Sequence, residues 1–434
     1  MKRIRRTGLI LAVALVTAAC TGGGGGSATP TGASGSSAPV NVAFWHGYTG
    51  PAAKEINRMA AEYTQTHPGV TISPFFLGDN SYALQKIETA IAGGVYPDIS
   101  YLYGSFASNI ATVPQTVILN QYVENDPSVN WNDFWPVCQR AATVDGKIVG
   151  FPALVDNLAL VYNKKLFDDA GLAYPDDTWT WTDFRDAAKA LTDPSKKQFG
   201  WAMQDDPSDS TTWRFMPFLW SAGGDLLNAD NTKAIFNAPE GVKALTLLQQ
   251  MATVDKSVYL DSSDGSTSLG LFTSGHIAMY NDGPWDLSTV RDSGMDYGIT
   301  VIPKDQVTAT ISGPDDWVVF DNGDARRQAA IDFLKWFTAP EQDIQWAIAT
   351  GLLPIRQSES QLPDYQTFLD QNPGIENWVA NEANAIKNLP QVSVFPKISE
   401  AISVAVGSAL LGKATPQEAL DSAAQQVDAD LAGA

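Results

Sequence analysis

The sequence contains very little cysteine and histidine. Only Cys20, Cys138 and three histidines occur among the 434 residues, and the histidines, His46, His67 and His276, stand far apart. No cluster of these residues has the spacing of a metal site. A structural zinc site or a papain-like cysteine site is therefore not expected, and no cofactor is predicted.

Positive charge is also scarce. Lys and Arg together number 28 against 48 Asp and Glu, which gives a formal net charge of −20. Four of the basic residues fall within the first 19 residues, which contain no acid, so the remainder has 24 basic and 48 acidic residues. Such a surface repels polyanions, which argues against nucleic acid and anionic lipid headgroups as partners.

No apolar run is long enough to span a bilayer. The longest one near the start, Leu9–Val16, follows Lys2, Arg3, Arg5 and Arg6. A basic segment followed by a short apolar run is typical of a secretory signal, which we predict over residues 1–19.

The end of this signal leads directly into Cys20. Thr17-Ala18-Ala19 precedes the cysteine, and a stretch rich in Gly, Ser, Thr and Pro follows it to residue 39. This resembles a bacterial lipoprotein signal, although Thr17 stands where such signals usually have Leu. We predict lipidation of Cys20, a flexible tether over residues 20–39, and an anchor on the extracellular face of the cell membrane. The alternative is an ordinary secretory signal with a chance cysteine.

Aromatic residues, in contrast, are abundant. The chain has 13 Trp, 13 Tyr and 18 Phe. Most are expected in the core, because aromatic side chains bury large areas. The flat indole face also suits a pyranose ring, whose C–H groups pack on it while Asp, Asn and Glu bind the hydroxyls.

Strand and helix patterns alternate after residue 40. Strands are predicted over 40–45, 70–77 and 97–102, and helices over 52–65 and 82–92. This order predicts a parallel sheet covered by helices. Ligands of such sheets bind beyond the carboxyl ends of the strands. Those ends are Trp45-His46, Asp79-Asn80 and Tyr103-Gly104-Ser105.

Later patterns are mainly helical. Thr180 or Thr182 can cap a helix that begins at the following residues. Further helices are predicted over 164–170, 238–253, 325–337, 341–349 and 416–431.

Short motifs along nearly the whole chain resemble the extracellular solute-binding proteins of ATP-binding-cassette importers. The similarity is to the carbohydrate cluster that includes the maltose-binding and glycerol-3-phosphate-binding proteins. No single motif is specific, but their order is that of the family. They are Phe44–Gly47, Gly93–Ile99, Gly146–Pro152, Leu160–Lys164, Gly223–Asp225, Phe272–Gly275, Asn281–Trp285, Thr350–Pro354, Leu389–Gln391 and Thr415–Leu420.

The resemblance implies the α/β fold of periplasmic binding proteins, with two lobes and a ligand cleft between them. The chain would cross between lobes near Ala153–Asn157, Ile311–Trp317 and Leu352–Ile355. The N-terminal lobe would then contain residues 40–152 and 317–351, and the C-terminal lobe residues 153–316 and 352–434. Crossing segments of this kind absorb the dihedral changes of closure.

The resemblance also implies a set of ligand contacts. Trp285 and Trp213 match positions where the family stacks sugars on aromatic rings, and Asp156, with Asn157 beside it, matches an acidic sugar ligand. A buried core tryptophan or a solvated carboxylate is the alternative for each. The strand-end rule adds Trp45, His46, Asp79, Asn80 and Tyr82, and the second crossing adds Asp315, Asp316 and Trp317.

Three departures from the family pattern bear on the ligand. The glycerol-phosphate branch has an Arg where this chain has Ser393, and loss of that cation argues against a phosphorylated ligand. That branch also has a Tyr where Leu352 stands here. The maltose branch has a stacking Trp at the position of Pro396, which places maltodextrin itself in doubt.

The sequence therefore predicts a monomeric, lipid-anchored receptor that captures a mono- or oligosaccharide and delivers it to a membrane permease, without catalysis. A receptor for a glycerophosphodiester or another non-sugar solute is the first alternative. A secreted glycoside hydrolase is the second, because it would also combine tryptophans with a pair of carboxyl groups about 5 to 10 Å apart.

Overall fold

The computed structural model of the protein describes residues 39–78, 80–263 and 265–433. Its strands are, in chain order, β1 (Val40–His46), β2 (Val70–Phe76), β3 (Ile99–Tyr103), β4 (Thr143–Val144), β5 (Lys147–Ile148), β6 (Gly150–Leu154), β7 (Ala159–Asn163), β8 (Phe199–Gln204), β9 (Val258–Asp261), β10 (Ile277–Asp282), β11 (Tyr297–Thr300) and β12 (Asp315–Val319).

The helices follow the same order. They are α1 (Gly50–Thr66), α2 (Ala83–Ala92), α3 (Ala107–Ile110), α4 (Asn120–Val123), α5 (Pro136–Ala141), α6 (Lys164–Ala170), α7 (Trp181–Ala190), α8 (Asp209–Ser221), α9 (Pro239–Thr253), α10 (Ser266–Thr273), α11 (Leu287–Asp292), α12 (Asp324–Phe337), α13 (Pro340–Thr350), α14 (Pro363–Gln371), α15 (Ile375–Asn381), α16 (Phe395–Leu410) and α17 (Pro416–Ala432). None of the helices in the described ranges is both long and apolar enough to cross a membrane.

The first sheet has the strand order β2-β1-β3-β12-β6. Strand β1 pairs in parallel with β2 and β3, as the strand–helix–strand pattern predicts. Strand β12 comes from much later in the chain and lies antiparallel between β3 and β6. We call this sheet and the helices packed on it the first lobe.

The second sheet has the strand order β11-β7-β10-β8-β9. Strand β10 is parallel to β8 and antiparallel to β7. Every residue of β7 and β10 is buried, as expected for strands covered on both faces. We call this sheet and its helices, which include α8, α9, α16 and α17, the second lobe.

Each lobe has its own aromatic core. In the first, the Phe44 ring stands edge-on to Trp317, with ring centroids 4.8 Å apart. In the second, Trp201 contacts Phe184 and Phe218, at centroid distances of 5.3 and 5.6 Å.

Local sequence signals place the helices as predicted. In α1 the buried residues are Ile56, Met59, Ala60 and Tyr63, which recur at helical spacing. Thr180 caps α7: its side chain accepts the Asp183 N–H, and the Asp183 carboxylate accepts the Thr180 N–H.

Three segments that link the lobes are hydrogen-bonded to one another. The Gly313 N–H donates to the Asp156 carbonyl oxygen at 2.9 Å, and the Leu353 N–H donates to the Val155 carbonyl oxygen at 3.1 Å. The Leu158 N–H donates to the Ile311 carbonyl oxygen at 3.2 Å. The exact lobe boundaries stay predictions. Each predicted boundary lies within one of these linking segments or next to it.

Candidate ligand-binding cleft

A cavity of about 770 Å³ opens between the lobes. This volume lies within the range of small-molecule sites. Its wall contains residues of both lobes and of the linking segments: Tyr82, Tyr103, Ser105, Ala141, Asp156, Asp206, Ser208, Asp209, Ser210, Trp213, Ser262, Ser263, Trp285, Ser312, Gly313, Pro314, Asp315, Asn388, Leu389 and Gln391.

Two tryptophans of the second lobe line this cavity. Trp213 lies in the first turns of α8, and Trp285 lies in a short 3₁₀ turn that follows the carboxyl end of β10. Both rings are partly buried, and Trp285 packs against the cores of both lobes. A Cβ on Gly283 would overlap the Trp285 ring, so this position has room only for glycine. The backbone around Trp285 therefore fixes where its ring can lie.

The linking segments form the wall beside Trp213. A Cβ on Gly313 would lie 2.6 Å from Oδ1 of Asp156 and 2.8 Å from Cη2 of Trp213. The carboxyl group and the indole ring therefore approach the same point from different elements. An acceptor for ligand hydroxyls and an apolar face for a ring thus stand next to each other.

Buried carboxyl groups dominate the electrostatics of this wall. Burial raises the pKa of Asp315 to about 7, although the Tyr101 hydroxyl and the Gly104 N–H donate to its carboxylate. Burial, with repulsion from Asp315 and Glu382, holds the pKa of Asp156 well above its usual range. Burial therefore favours the protonated form of both carboxyl groups, and when protonated they can donate as well as accept hydrogen bonds.

The lining carries no compensating positive charge. Among the described residues it contains four aspartates, Asp156, Asp206, Asp209 and Asp315, and no lysine, arginine or histidine. Six serines supply hydroxyl groups: Ser105, Ser208, Ser210, Ser262, Ser263 and Ser312. The cavity therefore combines aromatic faces with many small hydrogen-bonding groups and does not offer a phosphate a cationic partner.

Five of the residues singled out from the sequence line the cavity together. They are Tyr82, Asp156, Trp213, Trp285 and Asp315. The other predicted contacts that the structure describes lie elsewhere, each with a structural environment of its own. Asp79 lies outside the described residues.

At the end of β1, three predicted contacts stabilise the first lobe. Trp45 lies beside Phe75 of the edge strand, with ring centroids 5.9 Å apart. His46 is almost fully buried, its Nδ1 accepts the Tyr48 N–H, and burial lowers its pKa to about 4. Oδ1 of Asn80 accepts the Gly47 N–H at 2.7 Å, which ties the segment after β1 to the segment after β2. None of these three residues is among those that line the cavity.

Near the second crossing, Asn157 is fully buried, and its Nδ2 donates to the Trp378 carbonyl oxygen and to Glu382. Asp316 is buried beside Gly150, where burial and repulsion from Asp315 hold its pKa well above the usual range. Trp317 is fully buried in the first core. These three residues also support the fold and do not line the cavity.

The cavity lining also contains residues that were not named as ligand contacts from the sequence, among them side chains of three segments. Tyr103 ends β3 and Ser105 lies two residues further, at a strand end that the topology rule identifies. Asp206 and Ser208 precede α8, Asp209 and Ser210 lie in its first turn before Trp213, and Asn388 and Gln391 lie just before and at the end of the motif Leu389–Gln391. The sequence pattern of each segment indicated that the segment could lie near the ligand, but it did not identify these particular side chains. In the described ranges, no three His, Cys, Asp or Glu side chains are grouped to hold a metal ion.

The chain belongs to the bacterial extracellular solute-binding protein family, whose model matches residues 58–377. The sn-glycerol-3-phosphate-binding periplasmic protein UgpB of Pectobacterium atrosepticum is 27% identical, over 92% of each chain. The predicted family is thereby confirmed.

Two solved structures with the same fold are those of saccharide-binding proteins. The crystal structure of the cyclic alpha-maltosyl-1,6-maltose binding protein from Arthrobacter globiformis has a TM-score of 0.80 and 30% identity, covering 91% of this chain and 100% of that one. The ABC substrate-binding protein Lmo0181 from Listeria monocytogenes, in complex with cycloalternan, has a TM-score of 0.79 and 26% identity, covering 91% and 99%. The predicted two-lobed α/β fold is thereby confirmed.

Proposed function

We propose that the protein is the substrate-binding component of an ATP-binding-cassette importer, which captures a mono- or oligosaccharide outside the cell and delivers it to the permease. The observation that carries this proposal is the interlobe cavity, where Trp213 and Trp285 stand among carboxyl, hydroxyl and amide groups. Aromatic faces beside hydrogen-bonding groups match a pyranose, which is apolar on its C–H face and polar at its rim.

Each part of the wall has a role in this proposal. Trp213 and Trp285 stack on sugar rings, while Asp156 and Asp315 hydrogen-bond their hydroxyls. Tyr82 contacts the ligand from the first lobe. Because the ligand touches both lobes at once, it binds the closed arrangement more tightly than the open one and shifts the population towards it.

The second candidate is a glycerophosphate or glycerophosphodiester receptor, which the similarity to UgpB favours. Two observations weigh against it. Ser393 stands where the glycerol-phosphate branch has an Arg, and the described cavity lining contains four aspartates without a basic residue. A phosphate placed there would lack a charged partner, and any of these aspartates that is ionised would repel it.

The proposal includes the location and the partners of the protein. The signal over residues 1–19 would be removed, and a lipid on Cys20, which lies outside the described residues, would anchor the domain through the tether of residues 20–39. The protein would act as a monomer on the extracellular face of the membrane. It would bind its saccharide without cleaving it.

Titration calorimetry with a panel of ligands tests this function. The panel contains cyclic and linear oligosaccharides, monosaccharides, glycerol 3-phosphate and glycerophosphocholine. We expect a saccharide to bind most tightly and to be recovered intact by chromatography after incubation with the protein. Preferential binding of a glycerophosphate compound, weakening steeply with salt, would support the second candidate. Cleaved sugar would support the hydrolase.

A further inference from the structure

A short segment of the second lobe holds the first lobe by hydrogen bonds of its own. This segment, Asn388–Ser393, which we call the bridge segment, precedes α16. Helix α16 belongs to the second lobe, because Ile398, Ile402 and Val406 are fully buried in the second core. The bridge segment is therefore fixed to the second lobe at its C-terminal end.

Two amide side chains of the bridge segment reach α5 and the end of β3. Nε2 of Gln391 donates to the carbonyl oxygen of Gly104 at 2.9 Å and lies 3.4 Å from that of Ala141. Oδ1 of Asn388 accepts from Nε of Arg140 at 2.6 Å. Both amide side chains also line the cavity. One wall of the cavity is therefore a direct contact between the lobes.

A third contact extends this wall away from the cavity. Nδ2 of Asn109, in α3, donates to the carbonyl oxygen of Ser393 at 3.1 Å. Neither Asn109 nor Arg140 is among the residues that line the cavity, and Arg140 is exposed. Removing these two side chains of the first lobe therefore deletes no residue of the cavity lining, although Asn388, which lines the cavity, loses its Arg140 donor.

We propose that the bridge segment sets the closure equilibrium of the lobes, with Asn109 and Arg140 as positioning residues that act through it. A hydrogen bond is lost when its atoms separate by about an ångström, so a rotation that parts α3 and α5 from the bridge segment breaks these contacts. The lobe arrangement of this structure, in which both lobes line the cavity, thus has a source of stability that does not depend on the ligand. This inference rests on the proposed function and adds a determinant of affinity outside the ligand contacts.

The consequence for binding is quantitative. A ligand that binds only the closed state has an apparent affinity proportional to the closed fraction, whichever ligand it is. Removing two interlobe hydrogen bonds should lower this closed fraction. The affinity for every saccharide should then fall by the same factor, about 3- to 30-fold. A substitution at a ligand contact would instead weaken the binding of different ligands to different extents.

The test compares the Asn109→Ala/Arg140→Ala double variant with the Gln249→Ala variant. Gln249 makes a similar pair of bonds, from Nε2 to the carbonyl oxygens of Ala409 and Ala414, but entirely within the second lobe. Spin labels on Asp324→Cys in the first lobe and Lys165→Cys in the second, both at exposed side chains, report the distance between lobes. Titration calorimetry with two different saccharides reports affinity.

We expect the double variant to shift the distance distribution of the unliganded protein and to lower the affinity for both saccharides by one common factor. Gln249→Ala should leave the distance distribution and both affinities unchanged. An unshifted distribution, or a loss that differs between the saccharides, overturns the inference. If the double variant does not fold, Asn109→Ala alone carries the same test, because its partner Ser393 is not among the residues that line the cavity. If the wild type binds neither saccharide, the proposed function fails, and the distance measurement still decides the role of the bridge segment.

Discussion

At the scale of single residues, seven of the 13 tryptophans form two contrasting groups. Five are almost fully buried in the cores: Trp201, Trp220, Trp317, Trp346 and Trp378. Trp213 and Trp285 are only partly buried and line the cavity. A ring that is half covered by protein leaves its other face for a ligand, whereas a buried ring contributes only to stability.

This difference predicts opposite effects for two tryptophans of the same helix. Trp213→Ala, and likewise Trp285→Ala, should weaken saccharide binding by about 2 to 4 kcal/mol while the protein stays folded. Trp220→Ala should lower the free energy of unfolding by about 3 to 5 kcal/mol and leave the affinity of the folded protein unchanged. Calorimetric titration beside urea denaturation measures both quantities. Unchanged affinity in Trp213→Ala would remove this ring from the proposed site.

At the scale of elements, the linking segments pack too closely to accept a side chain. Gly313 lies against both the Asp156 carboxyl group and the Trp213 ring. Its backbone N–H also holds the first linking segment through the Asp156 carbonyl oxygen. The geometry of the cavity wall therefore depends on a glycine that need not touch the ligand.

We predict that Gly313→Ala weakens saccharide binding, because the added methyl group displaces the carboxyl group or the ring. Overpacking of this kind costs roughly 1 to 3 kcal/mol. Gly270→Ala is the matched control, because a Cβ there meets no atom within 4 Å and lies inside α10. It should leave affinity unchanged and raise stability by about 0.5 to 1 kcal/mol. Equal affinities of the two variants in calorimetry would contradict the prediction.

The sequence predicted the elements better than their arrangement. The parallel pairing of β1, β2 and β3 follows from local alternation, but the insertion of β12 between β3 and β6 depends on residues far apart in the chain. The same limit applies to the site. Asp315 begins β12 at the cavity, whereas Trp317, two residues further, contacts Phe44 in the core. The resemblance predicts a crossing near these residues, but only the three-dimensional packing separates the two neighbours.

At the scale of the whole molecule, buried carboxyl groups lie where the lobes meet. Burial raises the pKa of Asp315 and of Glu382 to about 7 each, and holds those of Asp156 and Asp316 well above their usual range. Between about pH 4 and pH 7 the folded state therefore holds protons that the unfolded chain has released. His46, whose pKa burial lowers to about 4, has the opposite effect but is a single group.

Because the folded state binds more protons in this window, the free energy of unfolding should fall as pH rises from about 4 to 7. We expect a higher melting temperature at pH 5 than at pH 8. Glu382→Gln removes one titrating group and should reduce the slope by up to about 1.4 kcal/mol per pH unit. Calorimetric melts of both proteins across this range measure it. A melting temperature that rises from pH 5 to pH 8 would refute the assignment of these protonation states.

A prediction for the intact chain concerns its attachment to the membrane. Cys20→Ser should remove the lipid acceptor and either release the protein into the medium or leave its signal uncleaved. Fractionation of cells and mass spectrometry of the N-terminal peptide detect these outcomes. Equal membrane retention of variant and wild type, without a lipid mass on Cys20, would favour an ordinary secretory signal.

The place of β12 in the first sheet also constrains the order of biosynthesis. β3 and β6 are joined only through this strand, so the first sheet stays in two pieces until residue 319 has been made. By then every strand of the second sheet, which ends at Thr300, already exists. The first lobe begins earlier in the chain, but its sheet is completed only after all strands of the second lobe have been synthesised. A truncation between the two halves would yield no self-sufficient N-terminal fragment.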